Sequence, residues 1–514
     1  MPDIDTCPIC VESPLEDSTT FNNIAWLQCD ICNQWFHASC LKIPKIEVNN
    51  LHSYHCEGCS KSHGPSIPKR KSKRSKVQID YVALNDGDVF AVDKSSHPHV
   101  DKFLSFEVNA NEIDDKINPY IDFRKDITAD YALDTRLTRP VLIPRADLDI
   151  VDMKLPIEGK EITIDYIANE VGDDTPLDVM DVLTQQGVNP GWNLGKWRDY
   201  YNTDELSRDR IRNVISLEIS DVDSFGKSFR RPRIVRDMDL VDKVWNDKSP
   251  RPKVTKYCLM SVTGSFTDFH IDFSGTSVYY TVCSGSKTFL MYPPTEQNLD
   301  IYTSWCLQPD QNYMWFGDFT KAFKGKGCTP SGGFKVTLSP GDLFIIPSGW
   351  IHAVFTPEDS LVIGGNFLTL MDLSMHLRIY EIEKVTRVPA KFRFPMFNRV
   401  LWLTSWYYYN NKSQFLKDLG QDAHIKNEAH IKSEAHSRGE VHTKTETHAV
   451  KDEPQPDQSV QYKTLSCLVS HLQSHYESSK INKVARNTIP AGLIGKDIPG
   501  YLAKLQSWLD ELSP

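Results

Sequence analysis

No stretch of this chain is long and apolar enough to cross a membrane. The longest apolar runs are near ten residues and are broken by Pro, Gly or His, against the roughly 20 that a spanning helix needs. The first ten residues, MPDIDTCPIC, are acidic and carry no apolar core, so no secretory signal is expected there. Cysteine is sparse beyond the first sixty residues, which hold seven of the twelve. These absences point to an intracellular chain whose cysteines are reduced thiols or metal ligands rather than disulfides. An even spread of charge is lacking too. The formal net charge is −10, yet residues 1–60 hold eight acidic and two basic side chains, and residues 61–76 (KSHGPSIPKRKSKRSK) hold seven basic and no acidic ones. An acidic module suits a basic partner, and a short basic run suits an import signal or a phosphate backbone.

What is present is ordinary for a globular protein. Apolar residues make up 40% and charged residues 25% of the 514, enough for a sizeable core and, by length, roughly three or four domains. Residues 81–410 alternate apolar and polar runs with many turn signals. Residues 421–460 are low-complexity, with His424, His430, His436, His442 and His448 recurring every six residues. Six residues advance a helix by about 600°, so successive histidines miss one another's face. With few apolar residues and many charges, this repeat is expected to be a disordered, solvated expansion, with weak metal binding as the alternative. Residues 461–514 regain helical spacing, as in LAKLQSWLDEL from Leu502 to Leu512. The tyrosines of SWYYYNN (Ser405–Asn411) read as packing residues.

The cysteines come in pairs: Cys7/Cys10, Cys29/Cys32, His37/Cys40 and Cys56/Cys59, each with two intervening residues. That spacing lets two ligands grip one Zn²⁺, and two pairs complete a tetrahedron. Eight ligands make two zinc sites, which a segment with so little core needs in order to fold. The order of four cysteines, one histidine and three cysteines, with WFHASC around the histidine, resembles a PHD finger over residues 4–62. A RING-type module is the nearer rival, and WFHASC argues against it. The resemblance implies interleaved pairing: Cys7, Cys10, His37 and Cys40 on one zinc, Cys29, Cys32, Cys56 and Cys59 on the other. Many PHD fingers read the histone H3 tail, some through an aromatic cage around methyl-lysine. Trp35 matches the cage tryptophan of that family, and Trp26 could supply a second wall, with Phe21 a weaker candidate. The alternative is that these tryptophans only pack the small fold.

A second constellation lies in TDFHIDF. On a strand, residues i and i+2 share a face, so His270 and Asp272 point one way and Phe269, Ile271 and Phe273 the other. A third ligand is offered by SPGDLFIIPSGWIHAVF (residues 339–355), which reads as turn, apolar strand, turn and then His352. Two histidines and a carboxylate on one side of a metal form the facial triad of non-haem Fe(II) oxygenases. Mn(II) and Ni(II) remain alternatives at this stage.

The segments NVISLEIS, TDFHIDFSGTSVYY, SGSKTF, IPSGWIHAVF and GGNFL resemble a JmjC domain, in particular that of the JmjC histone demethylation protein 1 family. RIYEIEKVTRVPAKFRFP (Arg378–Pro395) resembles the same family. The resemblance implies a mixed fold: a two-zinc PHD finger (4–62), a basic linker (63–80), a helical or mixed region (81–209), a double-stranded β-helix JmjC barrel (210–375), a helical extension (376–420), the disordered repeat (421–460) and C-terminal helices (461–514). It implies that His270, Asp272 and His352 bind Fe(II), and that Lys287 pairs with the distal carboxylate of 2-oxoglutarate. Thr267, Asn213 and Tyr280 would also touch that cosubstrate. Thr267 lies three residues before His270, so strict alternation faces it away and a bulge or turn must intervene.

The activity so implied is oxidative removal of N-methyl groups, as formaldehyde, from mono- or dimethylated lysine 36 of histone H3, with 2-oxoglutarate going to succinate. This chemistry needs no lone pair on the amine, so trimethyl-lysine is excluded only by pocket shape. A nuclear enzyme acting on nucleosomes follows, with KRKSKRSK (69–76) as its import signal or, more weakly, a DNA contact. No CXXC domain, F-box or leucine-rich repeat is found, and the finger precedes the barrel, as in the shorter fungal form of the family. Alternative readings are a hydroxylase on the same barrel and a chromatin reader with an inactive one.

Overall fold

The computed structural model describes residues 7–9, 26–38, 40–41, 43, 48, 51–68, 96–157, 161–188, 191–245, 250–323, 325–420 and 459–513. Cys10, Phe21, the basic run 69–76 and the histidine repeat lie outside the described residues. The chain divides into two units, residues 1–93 and 94–514.

In the first unit, strands β1 (Trp26–Gln28) and β2 (Trp35–His37) form an antiparallel pair. Alternation buries Leu27 and Phe36 on one face and leaves Trp26 and Trp35 on the other. The small core holds Leu27, Phe36, Ala38 and Tyr54 together with Cys7, Cys29 and Cys56. A core this small agrees with the need for metal staples read from the spacing.

Among the described residues, the second unit is built on an eleven-stranded sheet. Its core strands are β3 (Val141–Ile143), β4 (Arg212–Glu218), β5 (Tyr257–Ser261), β6 (Phe266–His270), β7 (Ser277–Tyr292), β8 (Phe334–Leu338), β9 (Leu343–Ile346) and β10 (Ile351–Phe367). The two longest, β7 and β10, pair antiparallel from Ser277↔Phe367 to Tyr292↔Ile351. The first half of β7 also pairs with β9 and its second half with β8. The first half of β10 pairs with β6 and its second half with β5. Each long strand thus passes from one half of a bent sheet to the other, which is the double-stranded β-helix expected from the sequence. The bend lies where the β7–β10 register slips, between Val282 and Thr288. Gly285 sits in it at φ +66°, and a Cβ there would lie 2.0 Å from the Asp359 carbonyl oxygen, so only glycine fits. The SGSK stretch that carries Lys287 is therefore a bulged corner inside one continuous strand.

Both faces of the sheet are covered. Tyr279, Leu343, Ile345 and Ile363 face a cluster that includes Trp197 and Phe225. Tyr280, Val282, Phe289, Phe344 and Val362 fill the other side. This two-sided burial explains why the central strands read as near-continuous apolar runs.

Beyond the barrel come helices α1 (Leu373–Val385), α2 (Phe397–Asn410), α3 (Val460–Ile481) and α4 (Ile498–Glu511). Leu468, Leu472, Leu505 and Trp508 of the last two share one core with Val400, Trp402 and Tyr408 of α2. Tyr408 is a packing residue, with its hydroxyl donating to Asp418 at 2.7 Å. The C-terminal helices close over the helical extension, so the chain on either side of the histidine repeat belongs to one packed layer.

Candidate functional site

Strand β6 ends at His270. Asp272 is not part of it, contrary to the single-strand reading of TDFHIDF, and instead precedes a short 3-10 turn over Phe273–Gly275. Its φ/ψ of −57°/147° is still extended, so the same-side placement of His270 and Asp272 survives the end of pairing. His352 stands directly opposite His270 across the β6–β10 pair. The two rings are 4.3 Å apart, and His352 Nε2 lies 3.7 Å from Asp272 Oδ2. One ligand atom from each of the three residues falls within 4.8 Å of the others.

The surroundings fix the ligand atoms. His270 Nδ1 lies 2.8 Å from the Asp268 carbonyl, and His352 Nδ1 lies 3.1 Å from the Trp350 carbonyl. A carbonyl only accepts, so each Nδ1 carries the proton and each Nε2 presents a lone pair. Asn366 donates to Asp272 Oδ1 at 3.3 Å, leaving Oδ2 toward His352. Burial, and then neighbouring His270, push His352 down to about 4, so it is a neutral ligand at ordinary pH. These donors fit Fe(II), which takes two imidazoles and a carboxylate.

The turn after Asp272 is held from α1. Ser274 adopts φ +49°, and its N–H donates to Glu383 at 2.6 Å. His376, fully buried, accepts from the Thr369 N–H and donates through Nδ1 to the Gly275 carbonyl at 2.9 Å. Sequence reasoning placed neither Glu383 nor His376, because both lie about a hundred residues downstream of the turn they hold.

Three of the four expected cosubstrate residues fall along one hydrogen-bonded chain. Lys287 Nζ donates to Ser261 Oγ at 2.5 Å and to Thr356 Oγ1 at 2.8 Å. Ser261 donates to Asn213 Oδ1 at 2.6 Å, and Asn213 donates to Thr267 Oγ1 at 3.3 Å. Lys287, Asn213 and Thr267 are thus joined, with Ser261 as the link. Register slips between Thr267 and His270, which supplies the irregularity that Thr267 requires. Lys287 is 2% exposed, and burial pushes its ammonium down to about 7. Both of its hydrogen bonds go to hydroxyls, and among the described residues no carboxylate forms an ion pair with it. A fully buried cation held this way fits a dicarboxylate ligand. Tyr280 stands one layer away, edge-on to Phe289 at 5.2 Å, and Phe289 in turn faces the His352 ring at 5.9 Å. Burial raises the Tyr280 phenol, so it stays protonated. Ser261 and Thr356 were missed by sequence reasoning. Thr356 lies four residues along β10 from His352, in the same alternation phase, a signal that was available.

In the finger, Cys29, Cys32, Cys56 and Cys59 form one group of converging ligand atoms, and Cys7, His37 and Cys40 form another. The seven described residues of the expected eight thus group in the order that the PHD resemblance implies, and Cys10 lies outside the described residues. Cys32 and Cys56 sulfurs are 3.8 Å apart, and Cys40 Sγ lies 3.7 Å from His37 Nδ1. Trp26 and Trp35 occupy one exposed face diagonally across the β1–β2 pair, opposite His37 and Gln28 respectively. The Trp26 ring lies 3.9 Å from that of His37.

Comparison with known proteins bears on this geometry. The PHD-finger family matches residues 7–59, the cupin-like domain family residues 167–371 and the Jumonji helical domain family residues 371–473. A Candida albicans protein named JmjC domain-containing histone demethylation protein 1 is 50% identical over 99% of this chain and 98% of its own. The chain belongs to the JmjC domain-containing histone demethylation protein 1 family. Saccharomyces cerevisiae and Yarrowia lipolytica proteins of the same name are 38% and 41% identical, over 80% and 77% of this chain and 89% and 74% of theirs. The fold class expected from the sequence agrees with these matches: a PHD finger, a cupin-like barrel and following helices.

Proposed function

We propose that this protein is a nuclear Fe(II)- and 2-oxoglutarate-dependent histone lysine demethylase acting on mono- and dimethylated lysine 36 of histone H3. The observation that carries this reading is the pairing of two features in one barrel. His270, Asp272 and His352 converge with both Nε2 lone pairs presented, and a buried lysine lies on the same sheet with hydroxyls as its hydrogen-bond partners. Names of the relatives support the histone-directed activity.

His270, Asp272 and His352 would hold Fe(II). With 2-oxoglutarate and O₂ the metal supplies oxidising power that hydroxylates an N-methyl carbon, after which the hemiaminal releases formaldehyde. Lys287 neutralises the distal carboxylate of 2-oxoglutarate, while Thr267 and Asn213 orient it by hydrogen bonds. Thr267 Oγ1 accepts from Asn213, so its own hydrogen is available to a carboxylate oxygen. Tyr280, kept protonated, donates to the cosubstrate as well. Asn366 holds Asp272 in its ligating rotamer. Phe289 and its apolar neighbours keep water away from the reacting carbon.

In the finger, Cys7, Cys10, His37 and Cys40 would bind one Zn²⁺ and Cys29, Cys32, Cys56 and Cys59 the other. Trp26 and Trp35 would form the methyl-lysine cage on a histone tail, bringing the barrel to nucleosomes. The deciding experiment gives purified protein, Fe(II), ascorbate and 2-oxoglutarate to H3 peptides methylated at lysines 4, 9, 27 and 36, with mass spectrometry and a His352→Ala control. Successive losses of one methylene mass (about 14 Da) from the lysine 36 peptide alone, absent in the control, are expected. A stable gain of one oxygen would instead indicate a hydroxylase. No change on any peptide by iron-loaded protein would favour a reader.

A further inference from the structure

A second cluster of two histidines and one aspartate lies apart from the His270 centre. His97 and His99 are each 3% exposed and Asp268 is 8% exposed. One ligand atom from each lies within 4.8 Å of the other two. His99 Nδ1 is 3.2 Å from Asp268 Oδ1, which also accepts the Phe269 N–H at 2.9 Å. The His99 N–H donates to His97 Nδ1 at 3.2 Å. Among the described residues, two polar atoms in this buried place have no hydrogen-bond partner: His99 Nε2 and Asp268 Oδ2. The walls are aromatic. Phe266 stacks on His97 at 5.1 Å, and Trp315 meets His99 edge-on at 5.6 Å.

Buried polar atoms are almost always paired, because stripping them of water without replacement costs free energy. Here one imidazole nitrogen and one carboxylate oxygen, both lone-pair donors to a cation, are left over beside a second imidazole. Imidazole with carboxylate is the donor set of divalent zinc and iron. An acidic cluster alone would point to a hard cation or to nothing, whereas two imidazoles in a buried, aromatic-walled pocket favour a transition metal.

We propose that His97, His99 and Asp268 hold a divalent transition-metal ion, zinc or iron, at a site separate from the His270–Asp272–His352 centre. The ion pins the segment before the short helix Val100–Leu104 onto strand β6. It also bears on catalysis by position: the carbonyl of Asp268 is the acceptor that orients His270 Nδ1. A metal on the Asp268 carboxylate fixes the peptide that aims the iron ligand.

The test uses the full chain, produced in medium supplied with zinc and iron and crystallised without added metal. Anomalous difference maps above the zinc and iron edges locate every bound ion. A peak between His97, His99 and Asp268 is expected. In parallel, plasma mass spectrometry compares the wild type with a His97→Gln/His99→Gln double variant, which is expected to lose one equivalent of transition metal. A map with ions in the finger and at His270 but none at this cluster overturns the proposal, as does a folded double variant with undiminished metal content. Should the double variant fail to fold, the wild-type map decides. An ion at this cluster with none at His270 would leave the proposal standing and count against the iron-dependent function, so the two readings fail separately.

Discussion

Replacing Lys287 with methionine should make the protein free of cosubstrate more stable while destroying its grip on 2-oxoglutarate. Burial pushes the ammonium from 10.5 down to about 7. At 1.36 kcal/mol per tenfold change in proton affinity, that is about 5 kcal/mol of penalty for folding around the charge. The sign follows from proton uptake. The unfolded chain binds this proton below 10.5, and the folded chain only below about 7. The penalty is therefore complete below pH 7, shrinks as pH rises, and is gone above 10.5. Methionine has similar length and no charge, so it removes the penalty. It also removes the hydrogen bonds to Ser261 and Thr356. Ser261 keeps its bond to Asn213, but Thr356 loses its donor, at about 1–2 kcal/mol.

The balance is a gain of about 3 kcal/mol near pH 6.5, falling to about zero near pH 9.5. Urea unfolding of metal-free protein at both pH values, followed by tryptophan fluorescence, reads this difference. Adding 2-oxoglutarate with metal at about a hundred times its dissociation constant should stabilise the wild type by about 2.7 kcal/mol and leave the variant unmoved. A Lys287→Met protein less stable than wild type at pH 6.5, or a stability gap that ignores pH, would show that the buried lysine is not an unpaired charge awaiting a carboxylate.

Other consequences are as direct. Asn366→Ala frees Asp272 Oδ1 and should weaken iron binding about 10–100-fold, as loss of an outer hydrogen bond to a ligand commonly does. Iron titration at unchanged affinity would remove Asn366 from the site. Trp35→Ala, on an exposed face of the finger, should cost methylated H3 peptides about 1–2 kcal/mol of binding at full zinc content. Calorimetry showing equal affinity would mean that Trp35 only packs the fold. Gly285→Ala places a Cβ 2.0 Å from the Asp359 carbonyl at φ +66° and should destabilise the barrel by more than about 2 kcal/mol. A melting temperature within a degree of wild type would refute the tight corner at Ser284–Ser286.

Much of the site was legible because its ligands are close in sequence or carried by strong motifs. Two residues separate the members of each finger pair, and one separates His270 from Asp272. Over such distances covalent geometry alone limits where the side chains can go, even where the strand ends early, as it does after His270. The grouping of Cys29 and Cys32 with Cys56 and Cys59 also agrees with the family resemblance. Thr267 shows where that reasoning thins: alternation placed it on the wrong face, and the register slip before His270 supplies what the motif required.

The sequence by itself determined the two kinds of module, the ligand types and their local spacing, because period-2 alternation and short bites are properties of the backbone. Only the tertiary structure decided what lies across from what. His352 meets His270 because β10 pairs with β6, and Lys287 reaches Asn213 through Ser261 because β7, β5 and β4 converge at a bulged corner. His99 meets Asp268 across 169 residues of chain. Cross-strand register and long-range burial depend on every intervening turn and bulge, and no local pattern records their sum.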